Sequence, residues 1–86
     1  MSEILCEYIR TREGNDCLIK TIIFLMKADD HYLVTREEIV IGGGRLNEDY
    51  EFEICGRANT YEEVRPDYDA LVKELKLLCR DEDVLN

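Results

Sequence analysis

Residue types on which many hydrolases depend are nearly missing from this chain. The only serine is Ser2, beside the terminus, and the only histidine is His31. A Ser-His-Asp arrangement therefore has no usable parts. A cysteine paired with His31 is the one nucleophilic alternative that stays open. Because His31 follows two aspartates in a turn-like segment, we expect it to be an exposed turn histidine. With so few catalytic residue types in the chain, we predict that the protein is not an enzyme.

Long apolar runs are missing as well. The longest uncharged apolar stretch, TIIFLM, has six residues, against roughly 20 for a membrane-spanning helix. The opening segment MSEILCEYIR lacks the basic and apolar regions of a secretory signal, so we expect a cytoplasmic protein. Four cysteines stand far apart without a C-x-x-C pair: Cys6, Cys17, Cys55 and Cys79. We expect free thiols in or beside the core, with no cofactor and no metal, although a zinc site built from distant strands stays open.

Basic residues are also in deficit. The chain has 11 Lys and Arg against 20 Asp and Glu, which gives a formal net charge of -9. Nucleic acids and anionic membranes attract proteins with surplus Lys and Arg, so this charge argues against direct binding to either. A basic protein partner is compatible with it.

A run of three glycines, in VIGGGRLNEDYEFEI, is the most conspicuous local feature. A dinucleotide fingerprint G-x-G-x-x-G would need a third glycine where Asn47 stands, and a helix where a strand pattern follows. The lysine of a phosphate-binding P-loop is missing too, and the acids after the glycines would repel a phosphate. We interpret this segment as a flexible connector between strands.

Four segments carry strand signals. The segment 17–27 is the strongest, because it is rich in β-branched and aromatic residues, and 49–58 alternates between apolar and acidic positions. Gly14 and Asn15 are expected to supply the positive φ of the first hairpin turn. The predicted strands are 3–10, 17–27, 32–41 and 49–58.

The C-terminal third is predicted to be helical. Thr60 and Glu63 have the spacing of a capping box, and Pro66 predicts a short turn at 61–64 before a main helix from about Pro66 to Arg80. The apolar stripe of that helix is Tyr68, Leu71, Val72, Leu75, Leu78 and Cys79. Leu77 and Ala70 lie opposite the stripe. We expect one domain over 1–80, followed by a frayed acidic tail over 81–86.

These elements predict an α+β fold: a four-stranded antiparallel β-meander with one C-terminal α-helix packed on one face, ββββα. The second strand is apolar on both faces, with Leu18, Ile22, Phe24 and Met26 on one side. One helix covers one face only, so either curled loops or a partner surface must cover the other. We expect a homodimer, and assign its interface to the residues on the opposite side of the strand: Cys17, Ile19, Ile23 and Leu25.

The acids are concentrated in the second half, where residues 42–86 hold 12 Asp and Glu against 6 Lys and Arg. Such a row of carboxylates resembles the charge of a nucleic-acid backbone. Our leading hypothesis is a small acidic protein-binding module that inhibits or regulates a basic, nucleic-acid-binding protein. Its partner-binding residues would be Glu48, Asp49, Glu51, Glu53, Glu62 and Glu63. The alternative is a small structural or assembly subunit, a homodimer acting through the apolar second face of its sheet.

Overall fold

A computed structural model describes residues 2–14, 16–42 and 49–78, with the backbone alone for Asp49 and Leu78. The strands are β1 (Glu3–Glu13), β2 (Cys17–Lys27), β3 (Tyr32–Gly42) and β4 (Asp49–Ala58), and the helix is α1 (Tyr61–Leu78). The strands pair in the order β1-β2-β3-β4, each antiparallel to its neighbour. The predicted ββββα meander is thus confirmed. The connector 43–48, the end of the predicted helix and the tail 81–86 lie outside the described residues.

The first hairpin turn differs from its prediction at Gly14, and the other predicted residue, Asn15, lies outside the described residues. Asp16 has the positive φ, 60°, and Gly14 lies outside that region. Aspartate tolerates the left-handed region better than most residues because its short side chain bonds its own backbone. The amide N–H of Gly14 donates to the carbonyl of Cys17 at 2.9 Å and closes the turn.

Two register shifts change which side chains share a face. The β1–β2 register shifts between Ile4 and Cys6, and the β3–β4 register shifts between Val34 and Thr35, opposite Ile54 and Gly56. Each shift leaves one extra residue, Leu5 or Cys55, and reverses the alternation along its strand. Residues on either side of a shift therefore point to faces that a strict period of two would not give.

The helix is continuous from Tyr61, so the predicted second start at Pro66 is wrong. Thr60 caps it: the Thr60 Oγ1 accepts the Glu63 backbone N–H at 3.3 Å and donates to the Glu63 carboxylate at 2.8 Å. Pro66 deprives only the Glu62 carbonyl of its i+4 donor. Glu62 is exposed in the first turn, where water can bond that carbonyl instead.

The helix packs on the face formed by the odd-numbered residues of β2. The core consists of Ile23, Leu25, Val34, Val64, Tyr68 and Leu75, with Leu71 and Val72 packed against it. The predicted stripe is therefore the buried side of the helix over the residues described, and Leu77 is exposed as expected. Burying each such aliphatic side chain stabilises the fold by roughly 1.5–3 kcal/mol.

Gly56 of β4 allows the helix to approach the sheet closely. A Cβ at Gly56 would stand 2.7 Å from Asp67 Oδ2 and 3.1 Å from Asp67 Cβ. On the opposite side of the helix, an Arg65 guanidinium nitrogen donates to Tyr61 Oη and lies 3.5 Å from Cys6 Sγ. These contacts hold the first turns of the helix over the end of the sheet at which β4 ends. From there the helix runs back over the sheet, and its second half lies beside Glu53.

The cap generates the first prediction. Replacing Thr60 by Ala removes the side-chain acceptor of the Glu63 N–H, and should lower the free energy of unfolding by about 1 kcal/mol in urea titration. The matched control is Thr60→Ser, which keeps the hydroxyl and should stay within about 0.5 kcal/mol of the parent. Equal losses in both variants would contradict the cap assignment.

Candidate protein-binding surfaces

The face of the sheet that the helix does not cover is mostly apolar. We call it the open face and define it by strand register. It is contributed by Ile4, Glu7, Ile9, Thr11 and Glu13 of β1, by Leu18, Lys20, Ile22, Phe24 and Met26 of β2, by Leu33, Thr35, Glu37, Ile39 and Ile41 of β3, and by Tyr50, Phe52, Ile54 and Arg57 of β4.

Exposure on the open face is greatest along β4, where Tyr50, Phe52 and Ile54 keep 58%, 52% and 57% of their surface. Most of the large hydrophobic residues exposed in the described ranges belong to this face, namely Ile4, Ile9, Leu18, Ile41, Tyr50, Phe52 and Ile54. Four strands about 4.8 Å apart and five rows of side chains about 6.8 Å apart give a footprint of about 650 Å². Twelve of the 19 residues are apolar, which makes the apolar part about 400 Å², within the roughly 300–600 Å² of the largest patch on an ordinary monomer, and patches of this size often mark interaction sites.

The few charges of the open face alternate in sign from strand to strand. On this face β1 carries Glu7 and Glu13, β2 carries Lys20, β3 carries Glu37 and the described part of β4 carries Arg57. Tyr50 Oη donates to Glu37 Oε1 at 3.0 Å, and this bond raises the pKa of Tyr50 above its ordinary value. The Thr35 hydroxyl is buried without a hydrogen-bond partner.

The side chains assigned to a dimer interface lie on the other side of the sheet. Ile23 and Leu25 keep 1% and 0% of their surface, beneath the helix, so for them the interface prediction is wrong. Cys17 and Ile19 share that side, beyond the core, and are half-buried. One face of β2 still lacks a covering helix among the described residues. It is the face of Ile22 and Phe24, and not the predicted face of Ile23 and Leu25.

The acidic candidates are divided between two places. Glu51 and Glu53 point to the helix side of β4 and are exposed. Glu62 and Glu63 are exposed in the first helical turn, at the opposite end of the helix from Glu74, which shares a cavity with Glu53. Glu62 lies twelve residues before Glu74, and at about 1.5 Å per helical residue the two groups are separated by about 18 Å along the helix. Glu48 and the side chain of Asp49 are outside the described residues.

The cavity beside Glu53 was not foreseen from the sequence. It has a volume of about 280 Å³ and lies between the second half of the helix and the sheet, lined by Arg12, Thr21, Ile23, Arg36, Glu38, Glu53, Leu71, Glu74 and Leu75. An Arg36 guanidinium nitrogen lies 3.4 Å from Glu38 Oε2, and Nε of Arg12 is buried without a hydrogen-bond partner. No sequence motif links these residues because they come from five different elements, the four strands and the helix.

The cysteines and His31 do not form a nucleophile–base pair within the described ranges. His31 Nδ1 lies 2.6 Å from Asp30 Oδ1 in the β2–β3 turn. Cys6, Cys17 and Cys55 are free thiols, and Cys55 Sγ donates to Glu53 Oε1 at 3.3 Å. Burial, and then the neighbouring Glu53 carboxylate, raise the pKa of the Cys55 thiol. Over the same ranges no three potential ligands are grouped to hold a metal ion.

Comparison with known proteins adds no functional information. No protein-family model, no curated protein and no solved structure matches the chain. None of the helical residues in the described ranges forms a segment long and apolar enough to cross a membrane.

The thiol chemistry of Cys55 can be tested directly. In a variant whose other three cysteines are serine, iodoacetamide should modify Cys55 more slowly at pH 8 than it modifies an unstructured peptide thiol. The raised pKa means that less thiolate is present at that pH.

The matched control for Cys55 is Glu53→Gln. It removes the negative charge and should shift the rate–pH curve of Cys55 to lower pH. A Cys55 that reacts as fast as the peptide thiol would contradict its assigned environment.

Proposed function

We propose that this protein is a non-catalytic protein-interaction module, an assembly subunit that acts through its open face. The observation that carries the proposal is the exposure of Tyr50, Phe52 and Ile54 together on a face over which none of the described elements forms a second layer. A sheet with one covered face normally presents polar side chains on the other. On the open face, the most exposed strand presents aromatic and branched aliphatic side chains instead.

The free energy available from covering this face is large. Twelve of the 19 residues of this face are apolar, so its apolar part is about 400 Å², and removing that area from water is favourable by roughly 10 kcal/mol at about 25 cal/mol per Å². The costs of association are about 4–15 kcal/mol, so stable binding needs a partner surface that buries a comparable apolar area of its own. An uncovered face would promote non-specific association.

The non-catalytic part of the proposal draws on the placement of the reactive groups. His31 contacts Asp30, whereas the Cys55 thiol contacts a carboxylate that raises its pKa. The Cys55 environment does not activate its thiol, because activation needs nearby positive charge or a base. Cys6 has an Arg65 guanidinium nitrogen within 3.5 Å, but the base that would complete a nucleophilic pair, His31, is bonded to Asp30. The free thiols of the described residues are typical of a reducing compartment, and we place the protein in the cytoplasm on that ground.

A second candidate function uses the acids. Glu51 and Glu53 stand on one strand face about 6.8 Å apart, and Glu74 reaches the same end of the molecule. With a net charge of -9, this arrangement supports an acidic module that mimics nucleic-acid charge and blocks a basic protein partner. The separation of Glu62 and Glu63 from this group limits the binding surface to the Glu51 end.

Neighbouring residues of β4 distinguish the two functions. A tagged chain is used to retain its partners from the source cells, and mass spectrometry quantifies each retained protein, including untagged copies of the chain. Phe52→Lys introduces a charge on the open face, and should reduce retention of the partner at least about tenfold, because a buried unpaired charge costs several kcal/mol. Glu51→Lys changes the opposite face of the same strand, and should leave retention unchanged.

The reverse pattern would support the acidic function. In that case Glu51→Lys and Glu53→Lys would release a basic protein, retention of that protein by the parent would fall steeply with salt, and Phe52→Lys would have no effect. Retention that is indifferent to all three variants would overturn both candidates. Circular dichroism of each purified variant checks that its fold is intact.

A further inference from the structure

The alternating charges of the open face indicate what covers it. We infer that the occupant is a second copy of this chain, packed open face to open face about a twofold axis that runs along the strands. The inference rests on the proposed function and identifies its partner. Three features of the open face support it: the area, the sign of the charges and the position of each charge in the register.

The area is that of a stable protein–protein interface. A footprint of about 650 Å² on each copy gives about 1,300 Å² in total, within the roughly 1,200–2,000 Å² of specific complexes. Two sheets that pack face to face lie about 10 Å apart with their strands within about 30° of each other. An interface of this kind is isologous, because each copy contributes the same surface.

The axis along the strands is selected by charge. It lays β1 of one copy over β4 of the other and β2 over β3, so the acidic strands face the basic ones. Each row of side chains then faces the same row of the second copy in reverse order. A twofold axis across the strands would instead lay each strand over the same strand of the second copy. Charges of like sign would then share a strand pair, and their repulsion costs several kcal/mol.

Two ion pairs follow from the register. Lys20 pairs with Ile39 in the β2–β3 ladder, so the two share a row, and Glu37 occupies the adjacent row of β3. With β3 of the second copy lying over β2, Lys20 stands over that copy's Ile39, about 6.8 Å along the strand from its Glu37. The long side chain of Lys20 spans this offset. Near the edge, Arg57 stands over Ile4 of the second copy and one row from its Glu7.

This packing also gives the exposed aromatic residues a defined environment. In the row of Phe52 the β1 residue is Ile9, so each Phe52 lies over Ile9 of the second copy, and each Ile22 lies beside the partner copy's Glu37 stem. Thr35 lies over Phe24 of the second copy. The apolar residues of both sheets thus form one layer. An opposite charge lies within reach of Lys20, Glu37, Arg57 and Glu7, and Glu13 lies at the end of the face.

The test uses two opposite charge reversals. Each should weaken the dimer when its chain is alone, and the dimer should be restored when the two variant chains are mixed. Lys20→Glu gives copies with acids at both central positions, and Glu37→Lys gives copies with lysines at both. Each variant alone should dissociate at least about tenfold more readily than the parent in sedimentation equilibrium. An equimolar mixture should restore the dimer to within about threefold of the parent, because each chain then meets the opposite charges on the other.

Matched controls carry the same charge changes on the helix side. Lys73→Glu and Glu51→Lys should sediment as the parent does, alone and mixed. Restoration within one chain by combining both reversals would not discriminate, because Lys20 and Glu37 are also neighbours in a single sheet. Rescue on mixing two separately purified chains requires contact between copies, and it shows that both chains are folded.

Three results would overturn the inference: a monomeric parent at 100 µM or higher, a dimer indifferent to Lys20→Glu, or a mixture no tighter than its components. The proposed function is judged separately by retention of partners from cells. If the parent is monomeric and Phe52→Lys still loses a retained protein, the second copy is the wrong occupant and the open face remains the binding surface. If Phe52→Lys loses nothing either, the proposed function falls as well.

Discussion

Everything in this fold depends on the fact that β2 is apolar on both of its faces. The helix packs on the side of Ile23 and Leu25 and buries both side chains almost completely. The chain has no second helix within the described residues to cover the other side, where Phe24 lies. A two-layer domain with one core therefore leaves a second apolar surface, and surfaces of that kind commonly mark interaction sites.

The elements themselves were largely readable from the sequence, because β-branched runs separated by turn residues leave little choice of strand. The side of the sheet taken by the helix was not readable. Ile22 and Phe24 are as apolar as Ile23 and Leu25, so β2 alone cannot decide. The two register shifts, at Leu5 and Cys55, reverse the alternation of the outer strands and so change which of their side chains join each face. Local sequence carries no clear signal of such a shift, since it depends on the neighbouring strand.

The functional surfaces divide in the same way. The row of Glu51 and Glu53 was predictable because it depends only on the period of two within one strand. The position of Glu62 and Glu63 was not, since it depends on where the helix begins and which way it runs over the sheet. Thr60 starts the helix six residues before Pro66, and the close approach at Gly56 then directs it back along the sheet. The cavity of Arg12, Arg36 and Glu38 likewise exists only after three strands are aligned.

A net charge of -9 on each copy does not oppose association through the open face. The exposed acids Glu51, Glu53 and Glu74 lie on the helix side, so in a face-to-face pair they point away from each other. Two sheets about 10 Å apart, with side chains on both outer faces, separate these acids by about 20 Å. The Debye length at physiological salt is about 8 Å, and charges that far apart are largely screened. Assembly and an acidic outer surface are therefore compatible, because the sheet places the apolar and acidic side chains of β4 on opposite sides.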